Sequence, residues 1–414
     1  MTKFVSKDLL QTFIADVLRA LGVDEWQVET VSDSLVSASL RGVDSHGIRL
    51  LTPYVASIKG GRTNAQATIT HRKTFPSMCV VDADHAVGAA AGYYAIDRCM
   101  EIAKELGMAM AMVQNSTHPG CMACMPLRAA KQGFMAMAFT NTGPKLQAFG
   151  GKGSFFGTNP VAFAAPRVEE DPLCLDMATS TIPWNKVEQA RAGSGSTLPP
   201  GTCADADGQE TTNPDLVRTL VPVGGYKGHG LAAMVEVMCC SATGMAFGHN
   251  TVQMYGPHVD QTQKRCIGQC YLVMRCDGAV SEEEFRKSLQ EMTEDVRKEP
   301  PMAGVSSVMM PGDPEIATAC HRRKHGIPLN SVEWADFTRF AKELNLDLPT
   351  VLNTSLIRSS FIRIPRHPEE NSWLQIHSIR DASNIAGVWL SGSLAHPDTF
   401  VPIVGNGCVR LCEV

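Results

Sequence analysis

The sequence predicts an α+β fold: a mixed or antiparallel sheet with flanking helices. Three observations carry that expectation. Apolar residues recur at helical spacing toward both ends of the 414-residue chain, and short apolar runs bounded by turn residues crowd its middle. No Gly-x-Gly-x-x-Gly stands between a strand and a helix, so a Rossmann-type dinucleotide sheet is unsupported.

Taken in order, Leu9, Leu10, Phe13, Ile14, Val17 and Leu18 mark a helix over 8–21, and Val28, Val31, Leu35 and Leu40 a second over 25–40. Both lead into the turn Asp44-Ser45-His46-Gly47. Residues 87–106 are alanine-rich and read as a helix ending near Gly107. Met108–Val113, Phe134–Phe139 and Pro160–Ala165 read as buried strands, separated by loops dense in Gly, Asn, Thr and Pro. Residues 190–215 read as a long polar loop. Gly224-Gly225-Tyr226-Lys227-Gly228-His229-Gly230 opens a helix running to about Ser241. Cys270–Arg275 reads as a strand, Ser281-Glu282-Glu283-Glu284 as a capping box starting a helix to about Lys298, and a last helix follows Asn330-Ser331 to about Leu344. Residues 350–414 show no sustained period and read as an extension.

Composition narrows the function classes. The length exceeds the usual limit of one core, so two or three domains are expected. Charged residues make up 19% and apolar residues 44%, an ordinary soluble profile. A net charge of −5 without any Lys/Arg-rich run argues against nucleic acid as a partner. No apolar run reaches the roughly 18–20 residues that cross a bilayer, and the N-terminus lacks a signal-peptide core, so a cytosolic protein with no membrane partner is expected. Among the 14 cysteines only Cys121-Met122-Ala123-Cys124 has clean metal-ligand spacing. Cys266 with Cys270, and Cys408 with Cys412, sit four apart. A zinc site needs four ligands, so buried, reduced thiols and no metal are the expectation.

Two histidine clusters stand out, Ser45-His46-Gly47 and Asn115-Ser116-Thr117-His118-Pro119-Gly120, with the imidazoles 72 positions apart. Each places a hydroxyl beside an imidazole and a glycine turn. Imidazole gives or takes protons near neutrality, and Ser45 can fix the tautomer of His46. Arg49 offers a fork for a carboxylate. A proton shuttle beside an anion clamp suits a small hydroxy or oxo acid. Lys227, in a glycine-rich turn at a helix start, suits an anion. Asp176, after the run Leu173-Cys174-Leu175, could accept hydrogen bonds from a ribose, with Thr179 and Ser180 capping or donating. Pro311-Gly312-Asp313-Pro314-Glu315 reads as a turn beside the core. Each motif alone also suits a plain turn, and residue patterns by themselves name no cofactor.

Together and in order, these motifs resemble the malate/L-lactate dehydrogenase family of the second type, which includes ureidoglycolate dehydrogenase, sulfolactate dehydrogenase, diketogulonate reductase and an imine-reducing piperideine-carboxylate branch. The likeness runs from about residue 5 to 345. Its carriers are Leu40-Arg41-Gly42-Val43-Asp44-Ser45-His46-Gly47, Asn115-Ser116-Thr117-His118, Gly157-Thr158-Asn159-Pro160, Leu175-Asp176-Met177-Ala178-Thr179-Ser180, Gly225-Tyr226-Lys227-Gly228 and Met310-Pro311-Gly312-Asp313. The resemblance implies a non-Rossmann fold binding NAD or NADP, a homodimer, and hydride transfer to or from a small 2-hydroxy or 2-oxo acid such as malate, lactate or ureidoglycolate. It implies His118 as proton acceptor and His46, oriented by Ser45, as a second acid/base. Thr158 would touch substrate, with Arg49 or Lys227 as its anion contact. Gly120, Thr142, Asp176, Met177, Ala178, Pro311 and Gly312 would hold the dinucleotide. It divides the chain into a helical segment 1–75 that carries Ser45 and His46 and packs with the 280–345 helices, a cofactor- and substrate-binding core 76–280 of one or two lobes, helices 281–349, and the extension 350–414.

The chain departs from the family pattern in places. Leu50 stands where the family arginine falls, with Arg49 one position earlier. Lys186 replaces the aspartate that completes the relay in the imine reducers, and Trp184-Asn185 replaces a commoner Arg-Gly. Pro119 follows His118, and His229 stands where tyrosine is common. Lys186 argues against the imine-reducing branch, so reduction of a cyclic imine acid is only a third reading; the displaced arginine, the other departures and the tail motivate a non-catalytic paralogue as the main alternative.

Overall fold

The structure, a computed structural model, describes residues 2–192, 196–254, 259–352, 359–365, 373–380, 385–391 and 399–402. After a short strand β1 (Lys3–Val5), Ser6 caps α1 (Lys7–Ala20) by accepting the Leu9 N–H, and Asp24 caps α2 (Glu25–Leu40) by accepting that of Gln27. In both cases the side-chain oxygen satisfies a first-turn donor that has no helical partner. Two 3-10 turns, Asp44–His46 and Ile48–Leu50, then lead into α3 (Leu51–Lys59), which the periodicity did not reveal.

A seven-stranded sheet forms the centre, in the order β2-β3-β4-β12-β5-β8-β9. Its members are β2 (Thr70–Phe75), β3 (Met78–Asp82), β4 (Met108–Ser116), β5 (Phe134–Thr140), β8 (Val161–Ala165), β9 (Leu173–Met177) and β12 (Ile267–Arg275). Only β3 and β4 run parallel; every other pairing is antiparallel. The sheet is therefore mixed, as expected for an α+β chain. It starts inside the 1–75 stretch expected to be helical. The edge strand β2, Thr70-His71-Arg72-Lys73-Thr74-Phe75, is polar and largely exposed, so no apolar alternation marks it.

On one face lies α4 (Gly88–Leu106), whose Ala89, Ala90, Ala91, Ala95 and Ala103 are buried and let the helix lie close to the sheet. On the other face α7 (Tyr226–Glu236) and a π turn, Val237–Ser241, bury Val235, Cys239 and Cys240 against Phe139 and Cys270. A short helix α5 (Cys124–Ala130) follows the second histidine cluster. A smaller four-stranded sheet, β10-β11-β6-β7, has its own apolar cluster with Leu146, Ile182, Val187, Val217 and Leu220. Its strands are β6 (Leu146–Gln147), β7 (Ser154–Phe156), β10 (Cys203–Ala204) and β11 (Thr219–Leu220), and α6 (Trp184–Ala192) packs with them. The stretch 190–215 expected as loop thus contains the end of a helix and a strand.

The C-terminal helices are α8 (Glu282–Lys298), α9 (Asp313–His325) and α10 (Ser331–Leu344). Capping boxes at Ser281/Glu284 and Asn330/Glu333 start α8 and α10. Sequence reading found only the turn before α9, because that helix is polar and basic with one buried residue, Ala319. Strand β13 (Ile327–Leu329) pairs antiparallel with β1. Phe13 meets Phe337 with ring centroids 4.9 Å apart, joining α1 to α10. The tail contains an antiparallel meander, β14 (Ser359–Pro365), β15 (Trp373–Arg380), β16 (Ile385–Ser391) and β17 (Thr399–Pro402). Cys408 and Cys412 lie outside the described residues.

One glycine ties this frame to the second histidine cluster. A Cβ on Gly88 would stand 2.3 Å from the Thr117 carbonyl oxygen, 2.5 Å from the His118 carbonyl carbon and 2.6 Å from the Pro119 nitrogen. Backbone cannot yield as a flexible side chain can. Gly88→Ala is expected to cost about 1–3 kcal/mol in urea unfolding and to displace the 117–119 backbone. A variant as stable as the parent would show that this contact is not a constraint.

Candidate active site

The two histidine loops meet. The rings of His46 and His118 stack with centroids 5.7 Å apart and planes 18° apart. Each loop is clamped from behind. Gly47 lies so close to α2 that a Cβ there would be 2.0 Å from Ser39 Oγ, and that hydroxyl accepts the Ile48 N–H at 2.9 Å. Arg322 of α9 grips Asp44 with both Nη atoms, at 2.6 and 2.9 Å, and also donates to the Ser39 carbonyl. On the other side, Thr117 Oγ1 donates to the Ala86 carbonyl and accepts the Gly88 N–H, both at 2.9 Å. Gln269 of β12 donates to Ser116 Oγ at 2.8 Å.

Hydrogen bonds set what each ring can do. Ser45 Oγ lies 2.9 Å from His46 Nδ1. At His118, Nδ1 meets the Gly120 N–H at 3.2 Å and Tyr54 Oη at 3.1 Å. Tyr54 Oη also reaches the His118 carbonyl at 3.2 Å. When the phenol gives its proton to that carbonyl, its oxygen accepts Nδ1–H and Nε2 is bare; when Gly120 holds Nδ1, the ring hydrogen sits on Nε2. Burial, helped by the positive charge of Arg49, pushes the His46 pKa down to about 4. Burial, then His46 and Arg265, hold His118 well below the ordinary imidazole value. Both rings are neutral at pH 7.

The remaining expected residues fall into groups. Arg49, exposed on the second 3-10 turn, stands near His46. The Thr158 N–H donates to Thr142 Oγ1 at 3.0 Å, and Thr179 N–H and Oγ1 both donate to the Thr158 carbonyl, at 2.9 and 3.0 Å. Ser180 Oγ donates to the Ile182 carbonyl. Asp176, at the end of β9, uses only Oδ2, which accepts the Ala123 N–H at 2.8 Å and the Cys121 thiol at 3.4 Å. Its rim is open to solvent, but the carboxyl is crowded, and burial lifts its pKa to about 6. Met177 pairs with Val161, and Ala178 follows the strand. The Pro311-Gly312 turn leans on β9: the Cys174 N–H donates to the Pro311 carbonyl at 3.3 Å, and a Cβ on Gly312 (φ 96°) would touch the Cys174 backbone at 3.1 Å. Gly120 (φ 77°) faces Tyr54 Oη across 3.5 Å at its own Cβ position. Lys227 lies exposed in the first turn of α7, and no hydrogen bond or ion pair joins its side chain to any described residue.

Four features escaped sequence reading. Tyr54 sits on a helix whose pattern was not recognised. Arg265 is buried and lines a narrow cavity with His118, Tyr54, Thr117 and Val87, but it follows a polar stretch with no motif. The Arg322–Asp44 pair spans 278 positions. Asn159 is fully buried and donates to Glu236 Oε2 at 2.6 Å, while Glu236 Oε1 accepts the Gly248 N–H at 2.7 Å. Of the α6 residues, Asn185, not Lys186, reaches the Ser45 carbonyl, at 3.4 Å.

The sequence profile that matches the chain is described as malate/L-lactate dehydrogenase and covers residues 5–338. The NAD(+) ureidoglycolate dehydrogenase of Escherichia coli (strain K12) is 31% identical over 74% of this chain and 87% of its own length. The NADP(+) (2R)-3-sulfolactate dehydrogenase of Chromohalobacter salexigens is 34% identical over 62% of this chain and 77% of its own length. The solved malate dehydrogenase of Entamoeba histolytica superposes with a TM-score of 0.80 at 28% identity, over 84% of this chain and all of that one.

The titration of the two rings is testable in the chain alone. A histidine whose folded pKa lies below its unfolded value of about 6.5 leaves the unfolded state binding more protons in the window between the two. Stability is full above about pH 6.5 and falls as pH drops toward about 4. In histidine-labelled protein, NMR should show both imidazoles still neutral at pH 6. A ring titrating near 6.5 would contradict the packing described here.

Proposed function

The chain belongs to the malate/L-lactate dehydrogenase family, and from that premise we propose that the stacked imidazoles carry out proton transfer in its reaction. It is a dehydrogenase acting on the CH–OH group of a small hydroxy acid with NAD or NADP. The single observation that carries the catalytic reading is the approach of His46 to His118 at 5.7 Å. Two half-buried imidazoles whose pKa values are both pushed down, stacked on one another, suit proton transfer.

The groups expected to hold a dinucleotide fit one. Asp176 presents Oδ1, which has no hydrogen-bond partner among the described residues, on a carboxyl already held by the 121–123 turn. Gly120 adjoins the 121–123 turn that holds Asp176, the Thr142–Thr158 pair, Met177 and Ala178 gather at the end of β9, and the Pro311-Gly312 turn packs on its start at Cys174. When bound, the nicotinamide supplies the hydride acceptor or donor. In oxidation, His118 takes the substrate hydroxyl proton at Nε2, in the tautomer that Tyr54 supports by accepting Nδ1–H. The resulting imidazolium is disfavoured by burial and by the positive charge of Arg265, so the proton is passed on readily. His46, held by Ser45, stands beside it as the second acid/base. Thr158 and Arg49 orient the acid; Lys227 remains a candidate for an anion at the cleft mouth. Hydride transfer needs the reacting carbons near contact, so this positioning is a large share of the rate.

We also take the functional unit to be a homodimer in the cytosol. Support for the dimer is the exposed apolar set Tyr226, Leu231, Met234 and Val237 on α7 and the turn after it. Support for the compartment is that the described cysteines are unpaired.

His118→Ala should lower kcat/KM for reduction of 2-oxo acids by about 10²–10⁴-fold while NADH still binds by fluorescence titration. Equal rates in both proteins would show that the base has been misassigned.

A further inference from the structure

Glu236, the last residue of α7, is a buried carboxyl, only 5% exposed. A carboxylate is a costly way to fill a buried position unless donors serve its oxygens. Here both are served. Oε1 accepts the Gly248 N–H at 2.7 Å, Oε2 accepts Asn159 Nδ2 at 2.6 Å, and the Cys240 thiol adds a third donor. Asn159 is fully buried, and its backbone is held at φ 30°, in the left-handed region. Its Nδ2 also donates to the Ala232 carbonyl at 3.0 Å, while its Oδ1 accepts the Thr142 N–H at 3.2 Å. A backbone N–H can only donate, and a carbonyl or carboxylate can only accept. The amide therefore has one workable orientation, nitrogen toward Glu236 and oxygen toward Thr142. From Thr142 the order passes on: its Oγ1 accepts the Thr158 N–H at 3.0 Å and lies 3.4 Å from Thr158 Oγ1. Gly157 leaves room for this crossing, since a Cβ there would lie 2.2 Å from Thr142 Oγ1 and 2.7 Å from Asn159 Oδ1.

We infer that Glu236 is a positioning residue for hydride transfer: it fixes the Asn159 amide, and through that amide the Thr142 and Thr158 hydroxyls. The inference rests on the dehydrogenase reading above, which sets those hydroxyls against cofactor and substrate, and adds a part that lies behind them. Glutamate is needed for its polarity, not for its shape. Glutamine has the same outline but brings an NH2 where an oxygen stood. Placed toward Asn159, that NH2 meets another donor; turning the Asn159 amide over to relieve it sets the amide nitrogen against the Thr142 N–H. Placed toward Gly248, it opposes the N–H there. Either way a buried donor is left facing a donor. Exchanging Asn159 for aspartate in the same chain restores the match. The introduced glutamine then donates to the introduced carboxylate, whose other oxygen still accepts the Thr142 N–H. The Ala232 carbonyl loses its donor, so the repair is partial.

The test compares the parent chain with Glu236→Gln, Asn159→Asp and the double variant. Each is assayed for reduction of oxaloacetate and pyruvate with NADH and NADPH, and for urea unfolding. Glu236→Gln should lower kcat/KM by about 10–100-fold, with the loss falling on kcat more than on KM. Asn159→Asp, which sets two carboxylates face to face, should lower it further. The double variant should regain about tenfold over Glu236→Gln, although its unfolding midpoint stays below the parent's. A plain packing role would lower the midpoint and leave kcat per folded molecule unchanged. That result, or a double variant no more active than the weaker single one, would overturn the inference and leave the dehydrogenase reading standing. Should the variants fail to fold, hydrogen exchange in the parent decides: the Asn159 carboxamide and the Thr142 amide should both exchange slowly, and fast exchange of either would overturn the inference. No turnover of either acid by the parent would overturn the dehydrogenase reading and, with it, this role for Glu236.

Discussion

The structure turns on two half-buried imidazoles held face to face, each with its pKa pushed below the ordinary imidazole value. Stacked rings at 5.7 Å cannot both carry charge cheaply, since each would add its repulsion to the cost of desolvation. Protonating one therefore makes the other harder to protonate, and a proton that lands on either is poised to leave. That coupling is a property of the fold. It requires two loops from distant parts of the sequence to be fixed to well under a ring width.

How that fixing is achieved explains much of the rest. The His46 turn is held by α2 through Ser39 and Gly47 and by α9 through the Arg322–Asp44 fork. The His118 loop is held by the start of α4 at Gly88 and by Gln269 in the middle strand of the sheet. Tyr54 crosses between them, reaching the His118 ring from the helix that follows the His46 turn. Three otherwise separate layers, the N-terminal helices, the central sheet and the C-terminal helices, thus converge on one pair of rings. The turn before α9 packs on Cys174 of β9, so α9 braces both the His46 turn and the β9 strand.

Much of the frame was legible in the sequence, and the exceptions have physical causes. Helices with an apolar stripe or a capping box, such as α1, α4, α8 and α10, announced themselves. The edge strand β2 and helix α9 did not, because neither buries a periodic apolar face. The histidine, glycine and Asp176 motifs were readable because short polar signatures at turns are local. Tyr54, Arg265, Arg322 and the Asn159–Glu236 pair were not, because their meaning depends on partners brought close only by the fold. The family resemblance supplied the order of the motifs; the geometry adds which groups face which ring.

The most direct test is whether both imidazoles sense the same bound cofactor and acid. In protein carrying ¹⁵N-histidine, addition of NADH followed by oxalate, a dianion that mimics a 2-oxo acid, should move the ring nitrogen resonances of His46 and His118 together, saturating at the same concentrations. Movement of one ring alone, or of neither while NADH is demonstrably bound, would show that the two histidines do not share a working cleft.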